Sequence, residues 1–469
     1  MKTIFIIIGI LGWIALFISL YLYKKSNKNR NKILDLKIVE KEGPKVVVIG
    51  GGWAGCAAAI AAKKAGADVL ILEKTDLLLG LGNVGGIMRN NGRYSATEEA
   101  IALGARELFE ITDKYATHSN IDFPGHSHAT IYNVTKIEKP VRDKVREVGI
   151  DIRFFSRVVD VKLNDDKLVA VILEDGEVIY GDAFVETTGS TGPMGNCTAY
   201  GNGCAMCVLR CPSFGGRVSI TSKCGLEDMV GKRKNGDYGA FSGSMKLLKE
   251  SLSEEIQKDL DEKGCAVVPL PKELVNEGIL DIKVCQQYAL PAFAHNIVLI
   301  DTGHAKLMEP FYNLEVLRMV PGFENALIVD PYSGGKGNSI RYMSVAKRDN
   351  YMRAKGMANL FVGGEKAGFY VGHTEAICTG SLAGHNAARY CADRYLIQLP
   401  TNLLIGDFIA YSNNEMSKPN GEKLRFTFAG SIYFDRMKEL GFYSTDSNVA
   451  LERVRNASLE GLYDKKVIG

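Results

Sequence analysis

Residues 45–73 read KVVVIGGGWAGCAAAIAAKKAGADVLILE, and no other stretch constrains the fold so tightly. Four apolar residues, Val46 to Ile49, run directly into Gly50-Gly51-Gly52-Trp53-Ala54-Gly55. An Ala-rich helical stretch follows, then a second apolar strand ending in Glu73. G-x-G-x-x-G alone is a weak signal, but between a strand and a helix it predicts a dinucleotide-binding βαβ unit. In that unit the first glycine makes the tight turn, the second admits a pyrophosphate, and the third packs the helix on the strand. The phosphates lie at the helix N-terminus, where unpaired N–H groups and the dipole favour negative charge. Glu73 is placed to accept hydrogen bonds from a ribose diol, with Lys74 beside it.

The first residues have another character. Thr3 to Tyr23 carries no charge and, as a helix, is long enough to cross a ~30 Å hydrocarbon core. Lys24, Lys25, Lys28, Arg30 and Lys32 follow it, which by the positive-inside rule predicts a cytoplasmic body. A cleaved signal peptide is the competing reading; the charges follow the apolar run rather than precede it, and no small-x-small cleavage site appears. The expected location is therefore the cell membrane, single-pass. The net charge of +3 includes six basic side chains and no acid within residues 1–32, which leaves −3 for residues 33–469. A body of that charge lacks the global basic excess of a nucleic-acid binder.

Further along, Leu77 to Gly86 is glycine-rich, of the kind that passes under a flavin, and Thr97 to Tyr115 has helical spacing. Asp175-Gly176 between two apolar runs predicts a hairpin. Phe184 to Gly189 reads as a strand returning to the nucleotide sheet. Residues 197–339 differ in texture, with cysteines and a charged helical stretch from Ser244 to Lys263. Leu360 to Glu365 is another strand entering a glycine turn, followed by a small-residue helix from Thr374 to Arg389. The expected organisation is a transmembrane anchor (1–24), a basic polar linker (25–43), a discontinuous nucleotide-binding domain (44–196 and 340–400), an inserted substrate domain (197–339) and a helical cap (401–469). The fold class is α/β: a two-domain FAD-binding Rossmann-type fold with an inserted α+β substrate domain, a helical C-terminal cap and an N-terminal transmembrane helix.

Three separated motifs carry a resemblance. The glycine turn with Glu73, the strand end Glu186-Thr187-Thr188-Gly189, and Ala358 to Glu365 together resemble two-domain FAD flavoproteins. Gly368 to Ala376, Gly380 to Arg389 and Pro321 to Ala326 resemble the glucose-inhibited division protein A family, in particular its folate-dependent tRNA methyltransferase branch. The resemblance implies FAD, held by Gly50, Gly51, Gly52, Trp53, Ala54, Gly55, Glu73 and Lys74 at the adenosine and pyrophosphate end. Gly85, Gly86, Arg89, Thr188, Gly189, Gly364, Glu365 and Thr374 are implied at the flavin end. That branch carries a cysteine in its flavin-side segment, whereas this chain has none between Glu73 and Cys197.

Cys197, Cys204, Cys207 and Cys211, the last followed by Pro212, resemble part of the bacterial ferredoxin run. Iron–sulfur ligation as [4Fe-4S], four-thiolate zinc, dithiol chemistry at Cys204 and Cys207, and an unliganded loop all remain open, with Cys224 a further candidate ligand. Ten cysteines in a cytoplasmic protein are expected to be mostly reduced, and Cys56, Cys265, Cys285, Cys378 and Cys391 read as small buried hydrophobes. His373 and Glu375 are the candidate catalytic residues, placed to tune the flavin or move a proton. His126 and His128 form a His-x-His pair that can bind metal, and Lys336 could hold an anionic substrate. The expected function is a membrane-tethered FAD-dependent oxidoreductase that passes hydride or electrons between a small-molecule substrate or electron carrier and the flavin. One alternative is an FAD-dependent tRNA or rRNA uridine-modifying enzyme; another is a flavin electron-carrier or assembly subunit with no substrate of its own.

Overall fold

The apolar run after Lys45 becomes the middle strand of a five-stranded parallel sheet. In a computed structural model of the chain, the residues described are 43–190, 214–238, 240–241, 244–282, 286–309, 312–329, 340–341 and 343–469. The sheet comprises β1 (Lys45–Ile49), β2 (Asp68–Leu72), β3 (Asp151–Arg153), β4 (Ala183–Glu186) and β5 (Leu360–Val362), in the order β5-β4-β1-β2-β3. Every pairing is parallel, with Val46 opposite Val69 on one side and Ala183 on the other. Burial on both faces explains why β1 is continuously apolar rather than alternating.

Helix α1 (Trp53–Lys64) and helix α2 (His373–Cys391) pack on each other beside this sheet. A Cβ at Gly380 would overlap the Ala54 carbonyl, and one at Gly384 would overlap the Ala58 carbonyl. The alanine run of α1 and the two glycines of α2 are thus one feature, two backbones in direct contact.

Insertions grow from this frame. Ile87–Met88, His126–Tyr132 and Ala116–Phe123 form a small antiparallel sheet. Lys167–Leu173 and Val178–Tyr180 form the hairpin around Asp175-Gly176. Residues 245–326 carry their own core, including Leu247, Ile256, Leu299, Leu307 and Phe323, inside the stretch expected as an insertion. Its sheet orders Met245–Leu247, Ala305–Leu307, Asn296–Asp301 and Cys265–Pro269. The C-terminal helices Leu404–Met416, Ser431–Glu439 and Ser447–Asn456 share the main core with the parallel sheet through Phe408, Tyr433 and Val454.

Local expectations differ from the structure in two places. The helical pattern over Thr97–Tyr115 is two helices, Gly92–Ala102 and Glu107–Lys114, because Gly104 takes a φ of +99° and its Cβ position is filled by Asp464. The stretch Ser244–Lys263 opens as a strand, and its helix begins only at Glu254, where the Ser253 side chain accepts the Ile256 N–H.

The single-pass membrane placement is corrected. Among the described residues no helix is long and apolar enough to cross a membrane. The longest among them, the 19-residue α2, is a core helix with a face of glycines. The expected anchor, Thr3 to Tyr23, lies outside the described residues.

Gly384→Val drives a side chain into the Ala58 carbonyl, so unfolding in urea is expected to show a loss of about 3 kcal/mol or more. A variant within about 1 kcal/mol of the parent would show that α1 and α2 separate freely.

Candidate functional site

The glycine turn after β1 has one packed side and one open side. Gly50 takes a φ of +99°, and a Cβ there would lie 2.7 Å from the Thr187 carbonyl oxygen. A Cβ at Gly55 would overlap the Gly50 carbonyl, whereas one at Gly52 would meet nothing within 4 Å. Gly52 caps α1 without a side-chain hydrogen bond, and the first turn of α1 has no acid. The first N–H groups of the helix thus have no side-chain cap, with the positive end of the dipole behind them. Glu73 is buried at the end of β2; its Oε2 accepts the Gly51 N–H at 2.8 Å and its Oε1 accepts the Thr75 N–H and hydroxyl, each at 2.9 Å. The carboxylate is locked in orientation and still has acceptor capacity for a diol. Lys74, next to it, donates to the Gly215 carbonyl at 2.8 Å.

Past the turn, Trp53 lies 5.9 Å, ring to ring, from both Tyr132 and His373, and Ala54 packs where a Cβ on Gly364 would be. The Thr187 hydroxyl donates to the Gly50 carbonyl at 2.7 Å, and the Thr188 hydroxyl donates to Glu186. A Cβ on Gly189 would meet nothing within 4 Å among the described residues, and Glu365 accepts the Ser190 hydroxyl at 2.7 Å. The Thr374 hydroxyl turns to the Met88 sulfur at 3.4 Å.

Gly85 and Gly86 are held between two parts of the chain. His373, the first residue of α2, lies against Gly85, and Thr302 of the insertion lies against Gly86. Lys306 donates to the Gly85 carbonyl and, at 3.4 Å, to that of Val84. Lys246, opposite it on the neighbouring strand, donates to the Asn83 carbonyl at 3.4 Å. His373 Nδ1 lies 3.1 Å from the Tyr132 hydroxyl, which is 2.8 Å from the Gly82 carbonyl. Burial pushes the His373 imidazolium down to a pKa of about 3, aided by the positive charges of Arg93 and Lys306. The ring is therefore neutral at physiological pH.

The other expected residues sit in different surroundings. Glu375, fully buried, pairs with Arg93 Nε at 3.0 Å and accepts from the Thr427 hydroxyl and the Phe428 N–H. These bonds tie α2 to the C-terminal segment. Arg89 directs its guanidinium to Glu98 and Asp113. His126 is buried between Asn90, Asn91 and the Gln287 carbonyl, whereas His128 contacts Asn120, so the pair does not converge. Cys197, Cys204, Cys207, Cys211, Cys285 and Lys336 lie outside the described residues. Among the described residues no group of three or more His, Cys, Asp or Glu could hold a metal ion. Cys224 is a buried free cysteine that ends a one-turn helix.

Sequence reasoning missed Arg93, Tyr132, Thr302 and Lys306. Lys306 did carry a signal, since a lone lysine interrupts the short buried strand Ala305–Leu307.

Known proteins place this geometry. A family model described as glucose inhibited division protein A matches residues 45–290 and 294–395, most of the chain. The chain belongs to that family. Its α/β FAD-binding fold is the one built above, and the match starts at residue 45, after the segment on which the membrane reading rested. Among curated relatives, methylenetetrahydrofolate–tRNA-(uracil-5-)-methyltransferase TrmFO of Thermosipho melanesiensis is 31% identical over 106 residues, covering 22% of this chain and 24% of that protein. The TrmFO of Caldicellulosiruptor bescii is 36% identical over 96 residues, covering 20% and 21%. This chain thus spans about a quarter or less of the length of the curated relatives it matches. Two crystal forms of Aquifex aeolicus GidA superpose with TM-scores of 0.58 and 0.57 at 16% and 17% identity. Both cover 88% of this chain, and 79% and 76% of theirs, a likeness of fold.

The residues present suit FAD: a helix N-terminus with no side-chain cap, a locked acceptor at Glu73, and Cβ positions at Gly52 and Gly189 that meet nothing within 4 Å among the described residues.

Three buried histidines generate an acid-sensitivity prediction. Burial pushes His126 and His373 down to about 3 and His385 down to about 4, from an ordinary value of 6.5. The unfolded chain therefore binds protons that the folded chain does not, so their contribution to stability is full above about pH 6.5 and falls as pH drops. Between pH 7 and about 5.5 the unfolding free energy is expected to fall by about 1 kcal/mol per histidine. Urea titrations at the two pH values check this, and His126→Gln should remove one proton from the dependence.

Proposed function

We propose that this protein is an FAD-dependent enzyme that modifies uridine in tRNA. The observation that carries the reading is a family match running from the glycine turn through the insertion to α2, the last two of which meet the backbone at Gly86 and Gly85. The names of the curated relatives point to the uracil base of tRNA as the substrate class. This alternative replaces the membrane-tethered oxidoreductase, whose tether rested on the spanning segment and whose flavin chemistry rested on the same FAD motifs.

On this reading Gly50, Gly51, Gly52, Trp53, Ala54, Gly55, Glu73 and Lys74 line the adenosine and pyrophosphate half of the cofactor seat. Gly85, Gly86, Thr188, Gly189, Gly364, Glu365 and Thr374 line the flavin half. The bound flavin supplies redox chemistry that no side chain can. The protein supplies position, charge and hydrogen bonds. Neutral His373, held at a pKa of about 3 by burial, offers hydrogen-bonding ring nitrogens at this backbone rather than a group that is protonated near neutral pH. The Tyr132 hydroxyl gives its one proton to the Gly82 carbonyl, so its oxygen accepts from His373 Nδ1 and favours the tautomer protonated there. Lys306 brings a fixed positive charge to the same backbone from the insertion. Arg93, held by Glu375, the Val371 carbonyl and Thr427, fixes the approach to α2. The chain has no cysteine between Glu73 and Cys197, where the methyltransferase branch carries one. The reading therefore stops at uridine modification without specifying methyl transfer.

The test is an anaerobic purification followed by incubation with unmodified tRNA transcript, reduced nicotinamide and a folate donor. One equivalent of FAD and a new modified uridine by nucleoside mass spectrometry are expected. Reversible flavin reduction with unchanged uridine, or iron and sulfide at cluster stoichiometry, would instead restore the electron-transfer reading.

A further inference from the structure

Directly after Glu365 lies a buried cluster of charge that the site described so far does not use. Lys366 is fully buried; its ammonium donates to Asp228 at 2.6 Å and to the Ser219 hydroxyl at 2.8 Å, and lies 3.8 Å from Glu186. Asp228 also accepts from the hydroxyls of Ser219, Thr221 and Ser344 at 2.7, 2.8 and 3.0 Å. Glu186, at the end of β4 and fully buried, accepts the Ile220 and Thr221 N–H groups at 2.8 and 2.9 Å. Arg217 completes the cluster, donating to the Thr188 hydroxyl at 3.1 Å and to the Gly189 carbonyl. Two acids and two bases balance. Burial raises the Asp228 carboxyl, but the Lys366 charge and the hydrogen bonds outweigh it and hold it below its ordinary range.

Stability alone is a poor reason for such a cluster. Buried ion pairs often contribute no more than apolar residues of the same volume, while removing one partner leaves an uncompensated buried charge. What the cluster does secure is alignment. It joins the end of β4, the segment Arg217–Asp228, Ser344 and the turn after β5. Ser344 N–H donates to the Ser190 carbonyl at 2.7 Å, Ala346 N–H donates to the Lys366 carbonyl at 2.8 Å, and the Ser190 hydroxyl donates to Glu365 at 2.7 Å. Glu365, Ser190 and Gly189 are thereby held at one edge.

We propose that Lys366 and Asp228 are positioning residues that hold the Glu365 carboxylate, through Ser190, in the orientation that receives the ribityl hydroxyls of FAD. The proposal rests on the FAD reading above. An ordinary structural ion pair would stabilise the fold without a specific effect on the cofactor, and the two roles separate experimentally.

Lys366→Met with Asp228→Leu removes the pair without leaving either partner alone. Apoprotein carrying both changes is expected to melt cooperatively yet bind FAD at least about tenfold more weakly, read by flavin fluorescence titration. In a Glu365→Gln background the same double change should alter FAD affinity less than about twofold, because both act through one carboxylate. Ser190→Ala, which leaves the ion cluster whole, should weaken FAD several-fold, and it keeps the test decisive should the double variant not fold. Parent-like FAD affinity in either folded variant, or losses that multiply with Glu365→Gln, would overturn the proposal. Parental apoprotein with no affinity for FAD would overturn the FAD reading instead.

Discussion

The structure depends on the contact between the backbones of α1 and α2. Gly380 and Gly384 bring α2 onto the carbonyls of Ala54 and Ala58, an approach no side chain would permit. That contact puts the N-terminus of α2 beside the glycine turn and so sets His373 against Gly85. It also seats Gly364 on Ala54. The candidate cofactor seat and His373 are thus placed by one packing arrangement, made at four small residues. Dispersion between closely packed backbones is weak per atom but accumulates over helices of 12 and 19 residues.

Around that contact, charge is handled by pairing rather than by solvent. Arg93 with Glu375, Lys366 with Asp228, and Arg453 with Glu99 are all largely buried and all join segments distant in sequence. His126, His373 and His385 go the other way and lose their charge to burial. A neutral ring at His373 on one side of Gly85 thus faces a cation at Lys306 on the other.

The parts of this arrangement legible in the sequence are those governed by local rules. Gly50 to Gly55, Glu73, the Asp175-Gly176 hairpin and the run of α2 follow from strand and helix periods and from turns that glycine makes. The residues that escaped are governed by tertiary partners. Nothing near Arg89 announces that Glu98 and Asp113 will take its guanidinium, and the Arg93 partner of Glu375 lies 282 positions away. Gly104 ends a helix against Asp464, near the other end of the chain. The uncharged segment Thr3–Tyr23 obeys a length rule for spanning helices, and the weight placed on it outran what one hydrophobic stretch says about the chemistry of the body.

Substrate identity is hard to read in the sequence for a related reason. The glycine turn, Glu73 and the Glu365 turn suit a cofactor of fixed shape, so their spacing follows a rule. The insertion meets the same backbone with Thr302, Lys246 and Lys306, side chains that acquire a role only once the antiparallel sheet sets them over Asn83, Val84, Gly85 and Gly86. Lys246 and Lys306 stand directly across from each other, an arrangement that like charges disfavour on their own. Carbonyls at the end of the Gly82–Gly85 turn offset that repulsion, since they form the negative end of a helical dipole. The pairing of strands within the insertion and the short turn of the nucleotide-binding part therefore stabilise each other.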